Sequence, residues 1–322
     1  MTELRENFPS SDGKNKIVYR IWEPEDRSSI RAVLQISHGM AEHIGRYKGF
    51  AEFLTSKGFA VSGNDHLGHG ETAKNPEDLG FIAESTGYRY LVEDVHQLTV
   101  ILHERYPDKP VILMGHSMGS FIARLYLSHF AEDISAAIIM GTAGPGSPVD
   151  LGILIVNLIS LFYGERHRSK LVTAMAFGSY NKKIAKPCRP AAWLTKNETI
   201  LDERDKDPFC TFIFTLSAYR DMFCMLGDVN SPDWASSVTT SLPILLISGG
   251  QDPVGNYGKG VQKVASMLGG AGVRNLTVKL FPDDRHEILY DADKDDVYAF
   301  IEGWLNKVLD GMKQEEEEES GD

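Results

Sequence analysis

The apolar residues fall into short blocks separated by stretches with helical spacing. Residues 16–22 alternate polar and apolar like a half-buried strand, and Glu23-Pro24-Glu25-Asp26 then predicts a turn. Ala32-Val33-Leu34-Gln35-Ile36-Ser37 is short and apolar enough for a strand buried on both faces, and it runs into His38-Gly39. Residues 46–57 space Tyr47, Phe50, Ala51, Phe53 and Leu54 as one face of a helix that Gly58 closes. Phe59-Ala60-Val61-Ser62 predicts the next strand, which leads to Asp65-His66-Leu67-Gly68-His69-Gly70. A helix is expected over about 87–104, before a strand beginning at Val111, and another strand over 135–140. This alternation predicts an α/β fold, a mostly parallel sheet with helices on both faces.

Beyond Pro145 the alternation stops, and helical segments with loops continue to about Pro232. It resumes at Leu242-Pro243-Ile244-Leu245-Leu246-Ile247-Ser248, followed by Gly249-Gly250-Gln251-Asp252. A helix over about 257–268, stopped by Gly269-Gly270, then a strand over 276–281, lead to Pro282-Asp283-Asp284-Arg285-His286. An amphipathic helix over about 293–309 closes the pattern. The prediction is one α/β core, residues 1–144 and 232–313, interrupted by a helical cap or lid at 145–231. The glutamate-rich residues 314–322 are expected to form a solvated, disordered tail.

One stretch carries chemistry. Val111-Ile112-Leu113-Met114 runs into Gly115-His116-Ser117-Met118-Gly119, and Phe121, Ile122, Leu125 and Tyr126 follow at helical spacing. Strand, sharp turn and helix in that order hold a serine clear of a sheet edge, with small residues where strand and helix crowd together. Functional groups of a parallel sheet collect beyond the carboxyl ends of its strands. Four stretches end there: His38-Gly39, Ser117, Asp252 and His286. A serine needs a base, and the base needs a carboxylate to hold its tautomer. The order Ser117, Asp252, His286 supplies all three, with Asp283 and Asp284 as rivals for the carboxylate. Asp65 reads as part of a glycine-rich turn. His38, His43, His66, His69 and His116 sit on separate loops without metal-site spacing, so no metal is expected. His116 reads as a packing residue beside the nucleophile, and His38 and Glu42 as residues that shape their loop.

Taken together these pieces resemble the α/β-hydrolase superfamily, in its monoacylglycerol lipase and lysophospholipase, serine aminopeptidase-like branch. The resemblance rests on His38-Gly39-Met40-Ala41-Glu42-His43 with Arg46-Tyr47, on Asp65-His66-Leu67-Gly68-His69-Gly70, on Gly115-His116-Ser117-Met118-Gly119, on Ser248-Gly249-Gly250-Gln251-Asp252-Pro253-Val254-Gly255, and on His286-Glu287. Thr72 stands where the branch usually has a serine. The resemblance implies Ser117 as nucleophile, His286 as general base and then acid, and Asp252 as orienting carboxylate. It implies an oxyanion hole from the backbone N–H groups of Met40 and Met118, and no cofactor.

Charge and cysteine content narrow the partners. A net charge of −12 over 322 residues repels nucleic acid. Cys188, Cys210 and Cys224 lack metal spacing and suggest free thiols in a reducing compartment. No secretory signal is visible over residues 1–20, and no apolar run reaches the ~18 residues of a membrane span. The expected residence is cytoplasmic, with transient membrane-surface contact through the cap.

In the cap, the apolar stretch from Leu151 to Tyr163 reads as a packed helix or as one whose face lines an acyl pocket or touches lipid. Phe209, Phe212, Phe214, Tyr219, Met222, Phe223 and Met225 would form an adaptable apolar wall. The leading function, which the resemblance implies and an apolar wall suits, is hydrolysis of carboxylic esters, monoacylglycerol or lysophospholipid, through an acyl-enzyme. A proline-iminopeptidase-like aminopeptidase would need cap carboxylates for a free amine, and Glu165, Glu198, Asp202, Glu203 and Asp205 are available. Acyl transfer to another acceptor, and a catalytically silent binding protein on the same fold, are the remaining alternatives.

Overall fold

The structure, a computed structural model, describes residues 1–186 and 188–320, with side chains for all of these but Glu316, Glu319 and Ser320. Eight strands form one sheet: β1 (Thr2–Pro9), β2 (Lys16–Glu23), β3 (Ala32–Ser37), β4 (Phe59–Asn64), β5 (Val111–His116), β6 (Ala136–Met140), β7 (Ile244–Gly249) and β8 (Leu276–Phe281). Their order across the sheet is β1-β2-β4-β3-β5-β6-β7-β8. From β4 to β8 neighbouring strands are parallel, while β1 with β2 and β2 with β4 are antiparallel.

The apolar blocks become central strands because both faces of the sheet are covered, so every residue must be buried. Successive residues serve opposite cores. Val33, Val111, Leu113, Ala137, Ile139, Ile244 and Leu246 face one core, which also holds residues of the helices α2 (Gly87–Arg105), α3 (Met118–His129) and α9 (Lys259–Gly270). Leu34, Ile36, Ile112, Met114, Ile138, Leu245 and Ile247 face the other, with α1 (Lys48–Thr55) and α10 (Lys294–Ser320).

Between β6 and β7 the chain leaves the sheet and makes four helices, α4 (Val149–Tyr163), α5 (Lys170–Phe177), α6 (Glu198–Lys206) and α7 (Leu216–Val229), then the short α8 (Pro232–Ser237). Helix α7 joins this insert to the core: it packs on α4 on one side and on α2 and α3 on the other. Among the described residues no helix is long and apolar enough to cross a membrane.

The structure departs from expectation in three places. Strand β1 was not anticipated, because as an edge strand it turns only Leu4 and Phe8 inward. Helix α9 runs on through Gly269 and Gly270 instead of stopping before them. The acidic run expected as a disordered tail continues α10 as far as Ser320. Glutamate propagates a helix readily, and the buried side chains Val297, Ile301, Leu305 and Leu309 anchor the turns before it. Gly321 and Asp322 lie outside the described residues.

Candidate active site

Ser117 sits between β5 and α3 with φ 54° and ψ −120°, a left-handed conformation for a residue with a side chain. Such a conformation costs on the order of 1–3 kcal/mol and persists only where the surroundings enforce it. Here they do. The Ser117 N–H donates to the Met140 carbonyl at 3.0 Å, and its own carbonyl accepts from the Ser120 N–H at 2.9 Å and hydroxyl at 2.5 Å. A Cβ at Gly119 would lie 2.0 Å from the Ser37 carbonyl oxygen, and one at Gly115 would lie 2.2 Å from the Gly119 oxygen. Strand and helix cross so closely that only glycine fits on either side.

Asp252 follows β7 and is fully buried. Its Oδ1 accepts the Val254 N–H at 2.8 Å, and its Oδ2 accepts the Ser248 hydroxyl at 3.2 Å. The same Oδ2 lies 2.9 Å from Nδ1 of His286, which follows β8. The contact is an ion-pair approach without the alignment of a hydrogen bond, and neither ring nitrogen has a hydrogen-bond partner. Nε2 makes no hydrogen bond to Ser117. Asp252 is the carboxylate in contact with His286. Of its rivals, Asp283 is exposed, and Asp284 has its carboxyl pushed up to about 7 by burial and then by Asp291 and Asp293.

The loop after β3 packs directly on this turn: a Cβ at Gly39 would be 3.0 Å from the Ser117 Cβ. Met40 in this loop and Met118 at the start of α3 both line the cavity in front of Ser117. Met118 is the first helical residue, where the helix offers its N–H no acceptor and the dipole favours an anion.

Behind the loop lies a buried charge network. Glu42 accepts hydrogen bonds from the Gly39 N–H, from the Tyr47 hydroxyl at 3.0 Å and from Arg46 Nη1 at 3.0 Å. His116 Nδ1 is 3.1 Å from the same carboxylate, and its Nε2 is 3.4 Å from the His286 carbonyl. Burial opposes charge on Glu42, but His116 and Arg46 outweigh it and hold the carboxyl well below its usual range. Burial also opposes charge on His116, and Glu42 again prevails and raises it. His116, expected as a packing residue, therefore links the loop after β3 to the His286 backbone. Glu42 bonds the Gly39 N–H inside its own loop, and His38, lowered to about 4 by burial, accepts the His66 N–H at 3.1 Å.

One grouping among the described residues has metal-like donors: His43, Asp207 and Cys210, with ligand atoms within 4.8 Å of one another. His43 Nε2 already contacts Asp207 Oδ2 at 2.8 Å, and Arg46 and Arg204 line the same recess of about 240 Å³. Two cations so close disfavour a third.

Ser117 and His286 open on a cavity of about 900 Å³. Its walls include Phe121 of α3, Met175 and Phe177 of α5, Tyr180, Trp193, Phe212, and Tyr219, Met222 and Phe223 of α7. Of the apolar stretch in α4, Leu151 and Gly152 line the cavity, whereas Leu154, Leu158, Leu161 and Phe162 are exposed; Tyr163 is exposed too. Phe209 packs against His43 instead, and Phe214 and Met225 lie in the core. The insert carboxylates are engaged elsewhere. Glu165 pairs with Arg220, while Glu198, Asp202 and Asp205 surround Arg189. None of them lines the large cavity, and Glu203 lines the small recess.

Sequence reasoning missed Trp193, whose ring centroid is 5.1 Å from that of His286. It also gave no role to the Arg46–Glu287 pair. Trp193 lies in an aperiodic loop with prolines, and its aromatic ring was the one available signal.

Comparison with known proteins gives the family and the fold. The profile of the family described as serine aminopeptidase, S33, matches residues 28–293. The chain is similar to a monoacylglycerol lipase of Mycolicibacterium smegmatis, 25% identical over 296 residues that cover 91% of this chain and 94% of that one. It is similar to the Mus musculus monoglyceride lipase, 31% identical over 192 residues, 59% of this chain and 55% of that protein. Among solved structures, a highly thermostable carboxyl esterase from Bacillus coagulans in complex with glycerol superposes with a TM-score of 0.88 at 30% identity, covering 96% of this chain and 99% of the other. Because the family profile spans more than half of the chain, the protein belongs to the serine aminopeptidase, S33, family, and it has the α/β-hydrolase fold.

Proposed function

We propose that the protein is a serine hydrolase of carboxylic esters, with monoacylglycerol or lysophospholipid as substrate. The observation that carries this reading is that Ser117 and His286, the latter backed by buried Asp252, open on a cavity of about 900 Å³ whose insert-derived wall is mostly aliphatic and aromatic and holds none of the available insert carboxylates. The one charged side chain that the insert adds to this wall is Arg204, and the carboxylates that line the cavity from the core, Glu42 and Glu287, are already paired with Arg46, which disfavours the aminopeptidase alternative. Esterase and lipase relatives support the same choice.

The steps assign each of these residues the role that its position supports. The Asp252 carboxylate lies against Nδ1 of His286 and favours the tautomer with its proton there, which leaves Nε2 as the basic nitrogen. Nε2 takes the Ser117 Oγ proton as Oγ attacks the ester carbonyl carbon. The resulting oxyanion is held by the N–H groups of Met118 and Met40. Collapse breaks the bond to the alcohol oxygen, which leaves with the proton returned by His286. Water then adds to the acyl-enzyme, again giving its proton to Nε2, and the fatty acid departs as Ser117 regains its hydrogen.

The insert, residues 145–231, acts as the cap over this site. Its outward apolar residues, Leu154, Leu158, Leu161 and Phe162 on α4 with Leu171 and Met175 on α5, form a patch suited to a lipid surface. Met175 also lines the cavity, so the patch reaches the route by which an acyl chain would enter. The test is product release by the wild type and Ser117→Ala from a monoacylglycerol, a lysophospholipid, a short-chain ester and a proline anilide. Ser117-dependent release from the long-chain lipids supports the reading, and release confined to the anilide overturns it.

A further inference from the structure

Apart from the 2.9 Å approach of Asp252 Oδ2 to Nδ1, no hydrogen bond fixes the imidazole of His286, so packing shares in deciding how it is turned. Two rings flank it. His116 lies 4.9 Å away, centroid to centroid, and Trp193 lies 5.1 Å away, each tilted by 40°. His116 comes from β5, but Trp193 comes from the insert, in the loop between α5 and α6.

That loop is fastened to the segment carrying His286. Arg285 Nη1 donates to the carbonyls of Ala192 at 2.6 Å and Thr195 at 3.0 Å. The Glu287 N–H donates to the Leu194 carbonyl at 2.7 Å, and the His286 N–H to the Trp193 carbonyl at 3.5 Å. Buried Asp291 takes the Thr195 hydroxyl at 3.1 Å and the Lys196 N–H at 3.0 Å through Oδ1, and the Arg285 N–H at 2.9 Å through Oδ2. The indole in turn meets Phe177 at 6.1 Å, nearly parallel, and Tyr180 at 4.9 Å, edge-on. A loop of the insert is thus bonded at several points to the active-site histidine segment, and it presents one rigid ring to the imidazole.

We infer that Trp193 is a positioning residue for His286: its indole, braced by Phe177 and Tyr180 and held by the Arg285–Asp291 clamp, confines the imidazole to the orientation that keeps Nδ1 on Asp252. The inference rests on the reading of His286 as the general base. The insert then does more than wall the cavity, because it completes the base.

The test uses a short soluble ester, p-nitrophenyl acetate, which reaches Ser117 without filling the acyl cavity. Misplacing a reacting group by about 1 Å costs on the order of 10²-fold, so Trp193→Ala should lower kcat for the acetate by roughly 10- to 100-fold with KM little changed. Trp193→Phe, which keeps a flat ring there, should restore most of kcat. Arg285→Gln loosens the clamp and leaves the indole in place, and it should lower kcat for the acetate in the same way. Thermal unfolding identifies which variants are folded. A folded Trp193→Ala protein with wild-type kcat on the acetate, and a defect only in KM for long-chain lipids, makes Trp193 a cavity wall and overturns the inference. If Trp193→Ala does not fold, unchanged kcat in folded Arg285→Gln overturns it equally. His286→Ala is run alongside: if it keeps full turnover, the general-base reading itself has failed, whatever Trp193 does.

Discussion

Arg46 and Glu287 form a two-pronged ion pair in the floor beneath the active site, Nη1 to Oε1 at 2.8 Å and Nη2 to Oε2 at 2.9 Å. Arg46 also serves Glu42, so one cation compensates two buried carboxylates from distant parts of the chain. Breaking a buried pair from one side strands a charge, at a cost of about 3–5 kcal/mol. Arg46→Ala is expected to lose stability on that scale, read as a lower midpoint in urea unfolding. A loss no larger than that of an exposed arginine, such as Arg274→Ala, would show that water replaces the guanidinium.

The nucleophile should be separable from its strain. Ser117→Ala is expected to reduce ester hydrolysis by about 10⁶-fold, as for a residue that acts as a unit with its base, and to abolish fluorophosphonate labelling. Ser117→Gly should be equally inactive but more stable than Ser117→Ala by roughly 1–2 kcal/mol, because glycine adopts the φ of 54° freely. Equal stability of the two variants, measured by urea unfolding, would mean that the turn stores no strain.

Asp252→Asn should fold normally and lose about 10⁴-fold in turnover, since the amide no longer holds the required tautomer of His286. Asp284→Asn should leave turnover near wild type. The reverse outcome would transfer the orienting role to Asp284.

Asp284 also predicts a pH effect on stability. Its folded value, pushed up to about 7 by burial and then by Asp291 and Asp293, lies above the ordinary 3.8. The stability it contributes is full below that ordinary value and is lost as pH rises through about 7. Asp284→Asn, which stays neutral, should therefore be more stable than the wild type at pH 8 and nearly equal to it at pH 4. Urea midpoints at the two pH values check this, and a gap that is larger at pH 4 contradicts it.

The central strands were legible because burial on both faces makes an unbroken apolar block such as Val33-Leu34 or Leu245-Leu246-Ile247. The position of Ser117 was legible because its turn must be flanked by glycines, that of Asp252 because it follows such a block, and that of His286 because it follows the last strand, although β8 is only partly buried. The edge strand β1 was not, since its solvent face carries Glu3, Arg5 and a polar neighbourhood that hides Leu4 and Phe8. Trp193 was out of reach for another reason: bonds from Arg285 and Asp291, far along the chain, determine its place, and no local period records them. The insert was visible only as a break in alternation, because the cavity it forms depends on how α4, α5 and α7 lean together.

Strands β6 and β7 are neighbours in the sheet, so the insert departs and rejoins at a single seam. Its length and sequence can therefore change without shifting any strand register, which makes it an exchangeable module on a fixed chassis. The bonds around Trp193 qualify that freedom. A transplanted insert that fits the seam but brings no ring to His286 would yield a folded yet slow enzyme. Substrate range and turnover rate would then be inherited together, from one segment of the chain.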